Sequence, residues 1–171
     1  FLLDLSRSEE IRTIATAHQL DDQAETVMMR AIGGSWLTAL SAIPVRRPLA
    51  RGAQNVEVVR PLLQSSRKDI LAALHELGAE YHEDAENKNV SYRRNGIRHD
   101  LMPIIRSQFN PAVSQHLSAL AQQATELDED LTRRAQRLVP DQEFSDERSW
   151  IDIPLSTLSF EPRLQQRYVV R

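Results

Sequence analysis

The chain has 171 residues, of which 41% are apolar and 26% are charged, as is usual for a folded globular protein. It contains no cysteine, which excludes a disulfide framework, a thiolate zinc site, an iron–sulfur cluster and a cysteine nucleophile. The absence of cysteine also fits a reducing cytoplasm, where we expect the protein. No apolar run approaches the roughly 20 residues of a membrane helix, so we expect no membrane partner.

The net charge is −3, but the charge is unevenly distributed along the chain. Residues 46–106 contain eleven basic and eight acidic residues, whereas the segments on either side are net acidic. Only Lys68 and Lys88 among the 21 basic residues are lysines, and guanidinium groups suit bidentate contacts with phosphate or carboxylate. An arginine-rich genome would give the same bias, so the composition alone leaves phosphate binding open.

The first predicted elements are a strand and a helix. Residues 11–18 have β-branched side chains in their middle, which predicts a short buried strand. A helix follows, with Asp21 or Asp22 as its cap and Gly33 and Gly34 at its end. Since α/β sheets bind ligands at the carboxyl ends of their strands, this junction is a candidate site.

A second strand is predicted at residues 56–59, followed by a helix that Ser65 or Ser66 caps and that ends at Gly78. Its apolar stripe comprises Ile70, Leu71, Leu74 and Leu77. Residues 83–89 are polar and predict a loop.

The rest of the chain predicts mainly helices. One covers residues 92–109 with a kink at Pro103, and Pro111 begins a long amphipathic helix that reaches residue 138. A short strand at 150–153 and a last helix at 161–171 complete the prediction.

Three acidic side chains lie close together in the sequence at the first strand-to-helix junction. Asp22 and Glu25 are three positions apart and share a helix face, close to His18 and Asp21. This pattern could supply oxygen ligands to a cation such as magnesium. Capping of the helix by the same carboxylates is the alternative, because they interact favourably with the helix dipole.

A second cluster is basic. Arg94 and Arg98 are four positions apart, so in a helix they share a face and could grip a phosphate, with Asn95 nearby. The alternative is that the two arginines pair with Asp84 or Glu86 across the preceding loop.

Together with their flanks, the two clusters resemble the motifs of the tRNA(Ile)-lysidine synthetase family, whose members are N-type ATP pyrophosphatases. Residues 15–30 resemble its His-His-x-Asp-Asp-Gln-x-Glu-Thr signature, although Gln19 stands at the second histidine. Five further blocks follow in the family's order. They are Gly34-Ser35, Arg60-Pro61-Leu62-Leu63, Ser66-Arg67-Lys68-Asp69-Ile70, Glu83-Asp84 with Asn87, and Arg94-Asn95 with Ile97-Arg98.

The resemblance implies an ATP-dependent ligase that modifies tRNA. Such an enzyme adenylates the wobble cytidine of an isoleucine tRNA with a CAU anticodon, and L-lysine then displaces AMP to give lysidine. ATP and Mg²⁺ are the implied cofactors. Members of the family often form dimers, so a homodimer is one implied assembly.

The resemblance also assigns residues by their match to the family motifs. The implied catalytic residues are His18, Asp22 and Arg98, with Asp22 also the magnesium ligand. Magnesium and the Arg98 guanidinium would stabilise the negative charge of adenylation, and a neutral His18 would accept a proton or contact the substrate. Substrate or nucleotide binding is implied for Glu25, Asp84, Asn87, Arg94 and Asn95.

The implied fold is α/β. Residues 1–110 would form the C-terminal part of a parallel-sheet nucleotide-binding domain, of the adenine nucleotide alpha hydrolase-like kind. Residues 111–171 would form a linker helix and the start of a helical tRNA-binding domain. Nothing in residues 1–20 resembles the family's Ser-Gly-Gly-x-Asp-Ser phosphate loop. We therefore expect that loop upstream, and no adenylation by these 171 residues alone.

Two other functions fit parts of the sequence. A non-catalytic helical tRNA-binding or scaffold fragment would need no phosphate loop. A tRNA thiolase relative of the same fold is disfavoured, because such thiolases generally use cysteines and this chain has none.

Overall fold

The structure is a computed structural model and describes residues 1–50, 56–81, 92–138 and 155–169. The elements up to residue 76 include both strands and helices, and those from residue 92 onward are helical in the described segments. The strands are β1 (Thr13–Ala15), β2 (Arg46–Pro48) and β3 (Glu57–Val59). The helices of the first part are α1 (Leu2–Ser8), α2 (Leu20–Ile32), α3 (Leu37–Leu40) and α4 (Arg67–Glu76). Those of the second part are α5 (Tyr92–Gly96), α6 (Met102–Gln108), α7 (Val113–Leu138), α8 (Leu155–Ser159) and α9 (Arg163–Val169).

The three strands form one sheet in the order β1-β3-β2. The two predicted strands pair in parallel, with Thr13 opposite Glu57 and Ala15 opposite Val59. Strand β2 was not predicted and is antiparallel to β3, so the sheet is mixed rather than purely parallel. The prediction that the first strand is buried is wrong: Ile14 is half-buried and its two neighbours are exposed, because β1 is an edge strand of the described sheet.

Helix α2 forms where the sequence predicts it, but its cap differs. Gln19 is the N-cap, not Asp21 or Asp22, and its backbone N–H donates to Asp22 Oδ2 at 3.0 Å. Asp22 thus satisfies a free amide from the first turn of the helix, as in a capping box. The C-terminal end is as predicted, with Gly33 as the C-cap and Gly34 at a φ of +69°.

Helix α4 confirms its predicted signals. Ser66 is the N-cap: its Oγ accepts from the Asp69 N–H at 3.2 Å, and the Asp69 carboxylate accepts from the Ser66 N–H. Gly78, at a φ of +60°, follows the helix. The predicted apolar stripe is at most half-buried, and Leu77 at its end is 79% exposed.

The predicted helix at 92–109 contains an irregular turn. A π-helical turn, Ile97–Leu101, separates α5 from α6 and ends two residues before Pro103. Proline has no N–H to donate to the preceding turn, so the helical hydrogen-bond pattern is interrupted here. Turns of this type place one extra residue in the helix and so re-aim the side chains around it.

The long helix α7 organises the core. Asn110 Oδ1 accepts from the Ala112 N–H at 2.9 Å, which sets the start of the helix near Pro111 as predicted. Apolar side chains of α7 pack against α2 in its first half and against α9 in its second half. The buried members of the first contact are Ala24, Val27, Val113 and Ala121, and those of the second are Leu131, Ala135 and Tyr168.

The last predicted helix is confirmed over Arg163–Val169. The predicted loop at 83–89 and strand at 150–153 lie outside the described residues. The division at residue 110 stays a prediction. Within the described segments, no helix is both long enough and apolar enough to cross a membrane.

Candidate functional site

The acidic and basic clusters of the sequence meet in one network between α2 and the helix at 92–101. Asp22 and Glu25 come from the first turns of α2, and Arg94 and Arg98 face them from α5 and the π-helical turn. The guanidinium groups of both arginines contact both carboxylates, at distances from 2.7 to 3.4 Å. The alternative pairing of the arginines with Asp84 or Glu86 is therefore not needed to neutralise them.

Arg98 makes the tightest contacts of the network. Its Nε donates to Glu25 Oε1 at 2.7 Å and its Nη2 donates to Oε2 at 2.9 Å, which is a bidentate pair. Glu25 is only 3% exposed. The hydrogen bonds to Glu25 raise the pKa of Arg98 above its ordinary value, although partial burial opposes that shift. Removing one partner of such a pair would leave the other charge buried and unpaired, which is costly. The pair therefore holds Arg98 in a fixed position.

Both carboxylate oxygens of Asp22 accept hydrogen bonds from the protein. Oδ1 accepts from Nη2 of Arg94 at 3.1 Å and from Nη2 of Arg98 at 2.8 Å, while Oδ2 accepts the Gln19 N–H. In the described segments no group of three or more histidine, aspartate and glutamate side chains could hold a metal ion. A magnesium ion on Oδ1 of Asp22 would have to displace the guanidinium groups of Arg94 and Arg98. The prediction that Asp22 binds magnesium finds no support in this geometry.

His18 lies beside the network at the carboxyl end of β1. Its Nδ1 is 3.0 Å from the Thr16 hydroxyl oxygen. Burial lowers the pKa of His18; nearby Asp22 opposes this, and the charges of Arg60 and Arg94 add to the lowering. The imidazole is therefore neutral near pH 7, as the sequence predicts.

This shift gives a testable pH dependence. If neutral His18 accepts a proton in the reaction, the ratio of the wild-type kcat/KM to that of His18→Gln, in which the titration of the lysine substrate cancels, should be constant above about pH 6.5, the ordinary pKa of histidine. It should decline only at lower pH, because the folded-state pKa is depressed. A pH profile compared with that of His18→Gln checks this. An inflection of this ratio above pH 6.5, or a ratio that does not change with pH, would contradict the assignment.

Asp21 has a structural role that the sequence did not reveal. Its Oδ1 accepts from Arg106 Nη2 at 2.6 Å and from the Ser114 hydroxyl at 2.9 Å, and Arg106 Nη2 also donates to Ser114 Oγ. The three side chains tie α2 to α6 and α7. Asp21 therefore pairs with Arg106 and Ser114 rather than with the arginines of the network, and it holds α6, which follows the π-helical turn of Arg98, against α2.

Two of the predicted binding residues cannot be placed. Asp84 and Asn87 lie outside the described residues, so their roles stay predictions. Asn95 lies half-buried on α5 between the two arginines of the network. The structure thus brings together His18, Asp22, Glu25, Arg94 and Arg98.

The mixed sheet, its flanking helices and a charged site where a parallel strand ends define an α/β protein of the ligand-binding kind. Residues 1–105 match the profile of the PP-loop domain. The chain belongs to this family, whose fold is an α/β nucleotide-binding fold.

Curated relatives share one description. A tRNA(Ile)-lysidine synthase of Geobacter sulfurreducens is 32% identical over 171 residues, which cover all of this chain and 35% of that protein. One of Francisella philomiragia is 38% identical over 121 residues, 71% of this chain and 29% of the relative. One of Chlorobaculum tepidum is 33% identical over 139 residues, which cover 81% of this chain and 40% of the relative. The chain thus spans about a third of the length of the curated relatives it matches.

Proposed function

We propose that this chain is part of a tRNA(Ile)-lysidine synthase. The enzyme would use ATP to adenylate the wobble cytidine of an isoleucine tRNA with a CAU anticodon, and L-lysine would then displace AMP. The observation that carries the proposal is the network of Asp22, Glu25, Arg94 and Arg98. It joins the two motifs that resemble the lysidine synthetase signature, although they are 69 to 76 positions apart in the chain.

In this proposal Arg98 stabilises the negative charge that develops on the α-phosphate. Its Nε and Nη2 are held by Glu25 and Asp22, which leaves Nη1 to donate to a phosphate oxygen. A guanidinium that is held in place before the reaction pays little reorganisation energy when the charge develops. The two carboxylates therefore act as positioning groups for the arginine.

His18 is the proposed proton acceptor. When Nδ1–H donates to the Thr16 hydroxyl oxygen, Nε2 carries a lone pair. That nitrogen can take the one proton that the neutral lysine amine loses when its nitrogen bonds to the cytosine ring and AMP leaves. The ammonium form of lysine, which dominates near pH 7, first loses a proton to solvent. The lowered pKa keeps His18 unprotonated and ready for this step. No step is assigned to magnesium, because both oxygens of Asp22, the implied ligand, accept N–H groups of the protein.

The same proposal covers the wider organisation. Residues 1–110 would form the C-terminal part of the catalytic domain, and residues 111–171 the linker helix and the start of a tRNA-binding domain. Substrate or nucleotide contacts are proposed for Asp84, Asn87, Arg94 and Asn95. Glu25, for which the resemblance implies the same role, is buried and bonded to both arginines, so its proposed role is to position Arg98. The enzyme would work in the cytoplasm, with a homodimer as one assembly.

The function is tested with the full-length protein and an isoleucine tRNA transcript. We expect ATP-dependent incorporation of labelled lysine into the transcript that has the CAU anticodon. A transcript with a UAU anticodon, which lacks the wobble cytidine, serves as the matched control and should take up no label. Binding of the tRNA without incorporation would overturn the ligase and support the scaffold alternative.

A further inference from the structure

Arg47 of β2 and Arg60, directly after β3, lie on the same face of the sheet. Residues directly opposite each other in an antiparallel pair point to one face, and Arg47 lies opposite Val58. The Arg60 N–H donates to the Val45 carbonyl oxygen, so the pairing of β2 with β3 continues one residue beyond β3. Because side chains alternate along a strand, Arg60 points to the same face as Val58. The two arginines are therefore diagonal neighbours.

The end of β1 that leads to His18 belongs to the same face. The Thr16 N–H donates to the Val59 carbonyl oxygen, so the parallel pairing also continues and places Thr16 beside Arg60. The Thr16 side chain in turn contacts His18 Nδ1. Strands of a sheet are about 4.8 Å apart, so β1 and β2, on either side of β3, are separated by about 10 Å. Arg47 and the His18 end of β1 thus flank Arg60.

Arg47 is an exposed cation that no carboxylate pairs with in the described part of the chain. Its Nη1 donates to the carbonyl oxygens of Pro48 and Leu49, at 3.1 and 3.3 Å. Its Nε and Nη2 have no protein acceptor among the described residues. These two atoms form the edge of the guanidinium that suits a bidentate oxyanion. Since all of β2 is exposed, a ligand can approach Arg47 from solvent.

Arg60 places a second positive charge next to Arg47. It is 6% exposed, and its Nη1 donates to the Pro44 carbonyl oxygen at 2.7 Å. Burial, and next the charge of Arg47, lower the pKa of Arg60, which stays protonated at neutral pH. The charge of a buried group is screened less by salt than that of an exposed group. Two neighbouring cations without a described counter-charge favour an anionic partner.

We propose that Arg47 binds a backbone phosphate of the tRNA, close to the nucleotide that reacts at His18. This inference rests on the proposed function, which brings the wobble cytidine of the anticodon loop to the end of β1. The loop is single-stranded, and a short stretch of it can reach from β1 to β2 on one face of the sheet. Arg60 is buried and contributes only its charge. A phosphate contact positions the RNA and does not read its sequence.

Protection of the sheet edge is the competing explanation. Strand β2 lies at an edge of the described sheet, and charged side chains on edge strands hinder pairing with other chains. Arg46 would serve that role equally well, because it is exposed on the same strand. It points to the opposite face, where it pairs with Glu57 at 3.4 Å. A difference between Arg46 and Arg47 in RNA binding therefore separates the two explanations.

The test measures the dissociation constant of the full-length protein for the isoleucine tRNA transcript over a range of salt concentrations. We expect Arg47→Gln and Arg47→Met to weaken binding about fivefold at low salt and to make the slope of log K against log salt shallower by about 0.7, as for one lost phosphate contact. Arg47→Lys should restore the slope, because it keeps the charge. Arg46→Gln is the matched control and should leave the slope unchanged.

The anticodon should not matter for this contact. Transcripts with CAU and UAU anticodons should lose the same affinity in Arg47→Gln, since a phosphate carries no sequence information. The melting temperature should hardly change, because Arg47 is exposed. An unchanged salt slope in Arg47→Gln, or an equal loss in Arg46→Gln, would overturn the proposal.

ATP and inorganic pyrophosphate distinguish the RNA backbone from a nucleotide as the source of the phosphate. Their dissociation constants should be the same for Arg47→Gln and the wild type, and weaker binding of either would overturn the RNA contact. Incorporation of labelled lysine judges the proposed function separately. A protein that forms lysidine without any effect of Arg47 on tRNA binding would refute this contact alone. One that binds tRNA through Arg47 but forms no lysidine would refute the ligase alone.

Discussion

Replacement of Arg98 by lysine in the full-length protein should lower kcat/KM for lysidine formation by about a hundredfold, or about 3 kcal/mol of transition-state stabilisation. Lysine would keep the positive charge. It cannot bond Glu25 through two parallel N–H groups and also contact Asp22, as Arg98 does with Nε and Nη2. The ammonium would therefore be misplaced with respect to the phosphate.

Arg98→Lys should consequently be no better than Arg98→Ala in the same assay. Arg93→Lys is the matched control, because Arg93 is an exposed arginine of the same helix, and it should retain full activity. Thermal unfolding of each variant shows whether it is folded at the assay temperature. Lysidine formation by Arg98→Lys at near wild-type rates would reduce Arg98 to a general positive charge.

Local signals in the sequence predicted the ends of the helices well. Ser66 and Gly78 mark the ends of α4, and Gly33 and Gly34 end α2, because caps and left-handed turns depend on residues a few positions apart. Asp22 was assigned to the right turn of α2 but to the wrong cap position. The side chain of the N3 residue can satisfy the N-cap amide, so sequence alone does not distinguish these two positions.

Non-local features were harder to predict. Strand β2 consists of three exposed residues, two arginines and a proline. It forms because it pairs with β3, and that pairing is not visible in its own sequence. The burial of β1 was overestimated because β-branched residues do not reveal whether a strand is central or at an edge.

The sequence predicted the two clusters of the site but not the contact between them. The sequence indicated an acidic cluster and a basic cluster, but left open whether the carboxylates bind a cation and whether the arginines pair with a nearby loop. One signal in the sequence could have predicted the contact between the clusters. Asp22 and Glu25 are acidic, and Arg94 and Arg98 are basic, so the two pairs attract each other. The burial that makes Arg60 unusual has no signature in its Arg-Pro-Leu-Leu block, because burial depends on Pro44 and the neighbouring strands.

Replacement of Asp22 by asparagine is expected to lower kcat/KM at least tenfold and to lower the melting temperature through the lost ion pairs with Arg94 and Arg98, not through the helix start. Asparagine can still accept the Gln19 N–H, so the start of α2 is preserved. It has a single acceptor oxygen and no charge, so it cannot also hold Arg94 and Arg98 as the carboxylate does. If Asp22 were only a cap, both activity and stability would be nearly unchanged.

Magnesium dependence separates the two remaining roles of Asp22. If Asp22 positions Arg98, raising the magnesium concentration should not restore the activity of Asp22→Asn. The losses of Asp22→Asn and Arg98→Lys should then be non-additive, because both variants disturb one contact. A magnesium ligand would behave differently: excess metal would partly rescue the variant, and the double variant would lose close to the product of the two single losses. Rescue with additive losses would therefore restore the metal assignment and reject the positioning role.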